Sequence, residues 1–267
     1  MTATIRRTRL SNLWSGNWFA VTERGARVLV GSNIQTVLSG FFEPVFYLLS
    51  MGIGMGALIG TVDYHGEPLE YAAYIAPALL ATSAMNGAFY EATRNVFFRM
   101  RFAHLYDAML STKLGPLDVA VGEIGLPMMR SGAYSLAFVA VMAMGGLVVG
   151  PGALLAVPGA LLIGLAFSAF GFMVTTFIKT FQQLDLVDFL MLPMFLLSAT
   201  FFPISVYPEP LQWVVQAFPL YHGVEMTRQL TTGSFDGWFW AHIGYFVAMI
   251  VIALPVTTMR LQKLFLR

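Results

Sequence analysis

Six apolar runs recur along this chain, near residues 34–60, 71–90, 119–148, 153–177, 186–206 and 239–259. Each supplies about the ~20 residues that a helix needs to cross a ~30 Å hydrocarbon core. A segment in hydrocarbon must satisfy its own backbone N–H and C=O groups, so runs of this length fold as helices. The ~10-residue alternating segments of a transmembrane barrel are not seen. Composition agrees: 57% of the 267 residues are hydrophobic and 11% are charged, where soluble domains carry ~25% charged residues. The fold class read from this is an all-α integral membrane protein with six transmembrane helices. There is no cysteine and the net charge is +1, so disulfides and thiolate metal sites are excluded and nucleic acid is not expected as a partner.

The basic residues set the expected orientation, because Lys and Arg accumulate in short cytoplasmic loops. Arg6, Arg7, Arg9, Arg24 and Arg27 precede the first span, and Arg94, Arg99, Arg101 and Lys113 lie between the second and third. Lys179 follows the fourth, and Arg260, Lys263 and Arg267 close the chain, which places 13 of 15 basic residues on one side. Arg130 falls within a span and Arg228 on the opposite face. Both termini are therefore expected in the cytoplasm of a multi-pass protein of the cell (inner or plasma) membrane. The expected layout is a cytoplasmic region over 1–33, a transmembrane domain over 34–260 and a cytoplasmic tail over 261–267. The opposite face carries the acidic stretch TVDYHGEPLE, Thr61 to Glu70.

No uninterrupted apolar core with a small-residue cleavage site follows the basic N-terminus, so a cleaved signal peptide is not expected. Residues Trp14 to Leu29 set Trp14, Trp18, Phe19 and Val21 among Glu23, Arg24 and Arg27, which reads as a helix lying in the membrane interface. The alternative is a plain basic juxtamembrane tail. Between the second and third spans, EATRNVFFRMRFAHLYDAMLSTKLGPLDVAVGE mixes Phe97, Phe98, Met100, Phe102, Leu105 and Met109 with Arg94, Arg99, Arg101, His104 and Asp107. That pattern predicts one or two short amphipathic helices ending near Gly115-Pro116. They either lie on the membrane surface or dock into a groove on a cytoplasmic partner.

The chain lacks a GxxxxGK[ST] loop, so it has no phosphate cradle of its own. Gly52, Gly56 and Gly60 recur every four residues inside an apolar run, the spacing of close helix packing. His65, His104, His222 and His242 show neither zinc nor triad spacing, and no metal site or catalytic residue is read. His222 and Glu225 are three apart and read as an interfacial polar pair. Glu43 and Arg130 lie within spans, each about nine residues from the cytoplasmic end and thus ~13 Å deep at 1.5 Å per residue. Charges there are costly and are usually paired or functional. A Glu43–Arg130 pair is expected, with Glu123 as the competing acid; the alternative is that each snorkels to the headgroups or faces a wet cavity.

After the fifth run, SATFFPISVYPEPLQWVVQAFPLYHGVE carries Pro203, Pro208, Pro210 and Pro219. Proline removes a backbone donor and stops helices. The first three prolines are expected to end span five, Leu211 to Gln216 to start a short helix that dips back with Trp213 at the interface, and Pro219 to break it. An amphipathic helix lying on the outer leaflet is the alternative.

The basic amphipathic N-terminus, the EATRNVFFRMRF segment and FLLSATFFPISVYPEPLQWVVQAFPLYHGVEMTRQLTTG together resemble the membrane subunit of ABC type-2 exporters, of the NodJ-like and DrrB-like permease kind, over nearly the whole chain. The resemblance implies a six-helix permease that pairs with a second permease subunit, identical or a sister chain. A cytoplasmic ATPase docks on each, so two copies serve one transporter, with ATP and Mg on the ATPase and no cofactor in this chain. It implies a cytoplasmic coupling helix near Arg94 to Lys113, including Phe98, Arg99, Arg101, His104, Tyr106 and Asp107. An N-terminal interface helix with Trp14, Trp18, Arg24 and Arg27 is implied beside it. Spans one and five would line the export path, which assigns Phe42, Phe46, Met51, Met194, Phe195, Phe201 and Phe202 to it. Such residues are also ordinary lipid-facing or packing residues. The segment after span five would be a re-entrant helical cap holding Pro203, Pro208, Pro210, Trp213, Pro219, His222 and Glu225. Ala199 departs from the pattern, standing where many relatives have glycine, and Pro210 adds a proline to the turn.

The function this implies is ATP-driven export of an amphipathic lipid, glycolipid, lipo-oligosaccharide or drug-like molecule, with membrane lipid as a further partner and no bond chemistry in this chain. The alternatives are an ion-coupled secondary transporter and a membrane scaffold without transport. The sparse intramembrane charge and the lack of an internal repeat count against the first. The second leaves the amphipathic cytoplasmic segment unexplained.

Overall fold

The computed structural model describes residues 13–30, 42, 44–148 and 151–266. Glu43 and the first residues of span one lie outside them. Helix α1 runs Trp18–Val30. It starts later than Trp14 because residues 13–17 are tied to the chain before the third span. There the Leu117 N–H donates to the Leu13 carbonyl at 3.0 Å. The Asp118 carboxylate accepts the N–H groups of Ser15 at 2.7 Å and Asn17 at 3.1 Å.

Helix α2 runs Pro44–Ile59 with a π-helical turn over Ser50–Met55, and it ends at Gly60, whose φ of 72° suits glycine. The glycine repeat packs less than expected: Gly52 faces Ala72, while Gly56 and Gly60 face open space within the described chain. The acidic stretch is a hairpin rather than a loop. Strands β1 (Thr61–Tyr64) and β2 (Glu67–Glu70) pair antiparallel with Thr61 opposite Glu70 and Tyr64 opposite Glu67. His65 and Gly66 turn the chain with φ of 54° and 84°, the two positive values of a tight hairpin turn.

Next come α3 (Tyr71–Tyr90), a π-helical turn over Glu91–Asn95, α4 (Val96–Arg101), α5 (Leu105–Leu110) and α6 (Pro116–Met144). A 3₁₀ turn over Pro151–Leu155 leads into α7 (Ala156–Thr175), which is followed by α8 (Phe181–Leu197) and a second 3₁₀ turn over Ile204–Val206. The chain closes with α9 (Glu209–Ala217), α10 (Pro219–Thr232) and α11 (Phe239–Phe265).

Helix α3 is the central post, with α6, α7 and α10 packed around it. Of its residues only Asn86 and Tyr90 are not buried. Alanine, glycine and serine let the backbones approach: a Cβ built on Gly164 of α7 would sit 2.3 Å from the Ser131 hydroxyl of α6. Among the described helices, α6, α7 and α11 are each long and apolar enough to cross a membrane, and α2 is a shorter apolar helix. Helices α2, α8 and α11 turn large apolar side chains outward, among them Phe46, Leu58, Phe189 and Val251. Such a surface marks contact with lipid or another protein.

Helix α8 ends at Leu197, well before Pro203, which corrects the expected fifth span of 186–206. Prolines do not stop it. The Ser198 and Thr200 hydroxyls donate to the Met194 and Phe195 carbonyls, satisfying backbone acceptors that the next turn would have used. Ala199 then reverses the chain at φ 53°, a left-handed conformation that costs an alanine about 1–2 kcal/mol. The later prolines open helices instead. Pro210 sits in the first turn of α9 and Pro219 is the first residue of α10, positions that need no N–H donor.

Candidate functional site

The end of α3 that carries Glu91 holds a buried network of five charged residues. Glu91 accepts from Arg99 at 2.5 Å and Arg130 at 2.8 Å. Glu123 accepts from Arg99 at 2.6 Å and Arg24 at 2.8 Å. Both carboxylates are almost wholly buried, and the Asn95 amide also donates to Glu91. Burial alone would lower the Arg99 pKa, but Glu123 and Glu91 outweigh it and raise it, so Arg99 stays charged. One continuous chain of ion pairs thus joins α1 (Arg24), α6 (Glu123 and Arg130), the π turn (Glu91) and α4 (Arg99). Each acid satisfies two guanidinium partners, the arrangement in which a buried network holds its elements rigidly.

Arg130 was expected to meet Glu43. It donates to Glu91, and Glu43 lies outside the described residues. Glu123, the expected competitor, is occupied by Arg24 and Arg99. Packing of α3 against α6 brings Glu91, at the end of α3, beside Arg130. A double-mutant cycle with Glu91→Gln and Arg130→Gln is expected to give a coupling of about 1–3 kcal/mol, read from unfolding in detergent; strictly additive losses would exclude the direct pair.

Helix α1 is fastened to α6 from Trp18 to Gly25. A Cβ on Gly122 would lie 2.5 Å from the Val21 side chain and 2.7 Å from the Trp18 carbonyl oxygen. Trp14 and Trp18 keep exposed edges, and Arg27 pairs locally with Glu23 at 2.6 Å. Helices α4 and α5 divide the expected coupling residues into two groups. Arg99 and the fully buried Tyr106 face inward, with Tyr106 packed on Phe172 and Phe265. Tyr106 therefore anchors the segment and cannot itself touch a docked protein, a correction to its expected place. Arg101 donates to the Ile178 carbonyl at 2.8 Å, and Arg94 pairs with Asp188 of α8 at 2.6 Å. The remaining residues form the surface: Phe98 stacks on Phe102, Phe102 on Phe181, His104 meets Asp107 at 3.2 Å, and Lys113 is exposed.

The residues assigned to a path lie on two faces. Phe42 and Phe46 stack at 5.8 Å and point outward, and Phe202 is exposed as well. Met194, Phe195 and Phe201 are buried, Met51 is half-buried, and Tyr47 meets Phe195 edge-on at 5.6 Å. A crevice of about 90 Å³ between α2, α3 and α8 is lined in part by Tyr47, Asn86 and Asp188.

The other end of α3 faces a cavity of about 940 Å³ between the hairpin, the Pro203 turn, α9, α10 and the start of α11. The expected cap residues Pro203, Trp213, His222 and Glu225 all line it, whereas Pro208, Pro210 and Pro219 only shape its helices. Behind Glu225 lies Arg228, wholly buried. Its guanidinium pairs with Glu225, donates to the Tyr74 carbonyl at 3.2 Å and the Ala199 carbonyl at 3.0 Å, and sits 3.9 Å over the Tyr74 ring. Tyr64 donates its hydroxyl to Glu225 at 3.3 Å, and burial first, then Glu225, raises its pKa. His222 does not pair with Glu225 as expected. Its Nδ1 lies 2.8 Å from that of His242, so one ring donates and the other accepts. Burial, with His242 beside it, lowers His222 to about 4, leaving it neutral at pH 7.

Sequence reading placed Arg228 only on the face opposite the other basic residues; its spacing of three from Glu225 was the available sign of a shared helix face. Asp118, three residues after Gly115 at a helix start, was likewise legible as a cap. Among the described residues, no three His, Asp or Glu side chains cluster as a metal site.

A family model described as ABC-2 type transporter matches residues 16–231. Nodulation protein J of Rhizobium leguminosarum bv. viciae is 30% identical over 94% of this chain and 96% of its own. The Sinorhizobium fredii protein of that name is 30% identical over 95% of each chain, and that of Rhizobium meliloti 28% over 95% of each. With a match that takes in the docked α1, the ion-pair network, the central post and α10, this membrane protein belongs to the ABC-2 type transporter family, as a membrane component.

Proposed function

We propose that this chain is the permease subunit of an ATP-driven exporter, embedded in the cell membrane with six spans and both termini cytoplasmic. A separate ATPase, two copies per transporter, binds ATP and Mg, and a second permease, identical or a sister chain, completes the path. The cargo is an amphipathic lipid, glycolipid, lipo-oligosaccharide or drug-like molecule. The carrying observation is the Phe98–Phe102–Phe181 patch on the segment that also exposes Arg94, His104 and Lys113, a platform whose inner face is fixed by Arg99 to Glu91 and Glu123. Exposed apolar and basic side chains suit a partner's groove, and the chain has no phosphate loop of its own.

Closure of the ATPase pair would push this patch, and the ion pairs would carry the push to α6 and α1 as one body. The outward faces of α2 and α8 would then meet the second permease and line the path. Arg24, Arg99 and Arg130 are positioning residues in this scheme.

Phe98→Asp with Phe102→Asp tests the reading, because both rings are exposed and the core stays intact. The pair of substitutions is expected to cut ATPase co-purification and membrane-stimulated ATP hydrolysis at least about tenfold, a loss of ~1.4 kcal/mol. Unchanged binding and turnover, or flux driven by a proton or sodium gradient without any ATPase, would overturn it.

A further inference from the structure

The cavity beside α10 is chemically lopsided. Asp63, Glu225 and Asp236 line it, and its described lining contains no lysine or arginine. Glu225 is neutralised from behind by Arg228. Asp63 and Asp236 have no ion-pair partner among the described residues: Asp63 accepts the Gly66 N–H at 2.9 Å and Asp236 the Trp238 N–H at 2.9 Å. Each of these bonds uses Oδ1 and fixes the carboxylate on a turn. The nearby hairpin adds Glu67 and Glu70 and no lysine or arginine. Of the lining histidines, His222 is neutral at pH 7 and shares a hydrogen bond with His242, and His65 sits at the hairpin turn with its ring against Tyr64.

Five of the other lining residues are tyrosine or tryptophan, beside Gly66, Pro203, Ile204, Ser205 and Gln216. Tyr64 and Tyr74 in the wall already face the Arg228 guanidinium, and Tyr221 stands beside them, while Trp213 and Trp238, also in the lining, are 76% and 71% exposed. A tryptophan so exposed contributes little to the core of this chain, but its π face attracts cations. Uncompensated carboxylates and aromatic faces around one cavity attract the same kind of group, an organic ammonium. The volume of about 940 Å³ is that of a site for a drug-sized molecule, so the ammonium is one end of a larger ligand.

We propose that this cavity is a binding site for a ligand bearing an organic ammonium group, held between Asp63, Asp236, Trp213 and Trp238. The group comes from a lipid headgroup or from a soluble amine, and the site stands whether or not the chain works as an exporter.

The test uses the full chain in maltoside micelles, titrated with choline and followed by tryptophan fluorescence at matched ionic strength. Saturable binding is expected, at least tenfold tighter than that of 3,3-dimethylbutan-1-ol, which has the same shape without the charge. Asp63→Asn with Asp236→Asn is expected to weaken choline at least tenfold. Asparagine retains an oxygen for the Gly66 and Trp238 N–H groups, so the turns persist. Repetition in discs tells the sources apart: weaker apparent choline binding in phosphatidylcholine than in an uncharged glucosyl-diacylglycerol supports a lipid headgroup, and equal binding supports a soluble amine. Absence of choline binding, equal binding of the neutral isostere, or choline binding indifferent to the asparagine substitutions overturns the proposal. Tighter binding of chitotriose than of choline, unaffected by those substitutions, also overturns it and makes the cavity a saccharide site.

Discussion

Replacing Arg228 with methionine is expected to destabilise the folded chain by about 3–5 kcal/mol, the cost of breaking a buried ion pair from one side. Methionine fills much of the arginine stem's volume, so packing is largely kept and the loss is electrostatic. Glu225 would face Tyr64 alone, and the carbonyls of Tyr74 and Ala199 would lose their donors. The Ala199 carbonyl matters most, because its residue holds the left-handed reversal that ends α8. Arg228 thus fastens α10 both to the central post and to the turn after α8. Unfolding by a denaturing detergent, followed by loss of helicity, measures the shift. Glu225→Gln added to Arg228→Met is expected to recover a part, since the stranded carboxylate is gone. A loss under about 1 kcal/mol would show that water reaches the guanidinium and that the pair is worth no more than a surface bridge.

The second large effect is expected for Gly122→Leu. A side chain at that position would overlap the Trp18 carbonyl, a backbone atom that yields only if α1 itself moves. Overpacking of this kind costs about 1–3 kcal/mol, and here it falls on the seam between α1 and α6. Arg24 leaves with α1, so Glu123 keeps only Arg99. Trypsin cleavage at Arg24 and Arg27 reads the undocked population directly when opening is fast. Cleavage about 10–100 times faster is expected, at tenfold per ~1.4 kcal/mol. An unchanged rate would mean that the Asp118 cap alone holds the helix. Under the proposed function, the same variant would also uncouple ATP hydrolysis without touching the Phe98 surface.

The helical segments were legible because their signal is local. Span two was read as 71–90 and α3 is Tyr71–Tyr90, bracketed by Glu70 and Glu91. The hairpin at 61–70 was missed although His65-Gly66 between Val62, Tyr64 and Leu69 is a turn signal. Its acidic residues suggested a solvated loop and outweighed the alternation. At the end of α8, prolines drew attention from Ser198 and Thr200, whose hydroxyls do the capping. The aromatic and basic character of α4 and α5 was visible, but which face each side chain takes was not. Tyr106 and Arg99 went inward because Phe172 and the two buried acids lie there.

Length and hydropathy of each run and the ordered motifs were sufficient, by sequence alone, for a mostly helical membrane chain and its family, though not for the hairpin of β1 and β2. These follow from properties that each segment carries by itself. Partners are different: Arg24 meets Glu123 from 99 residues away, and Arg228 meets the Tyr74 carbonyl from 154. Ion-pair energy depends on a few ångströms of separation and on the dielectric around the pair. Only the packed arrangement of α1, α3, α6 and α10 decides both.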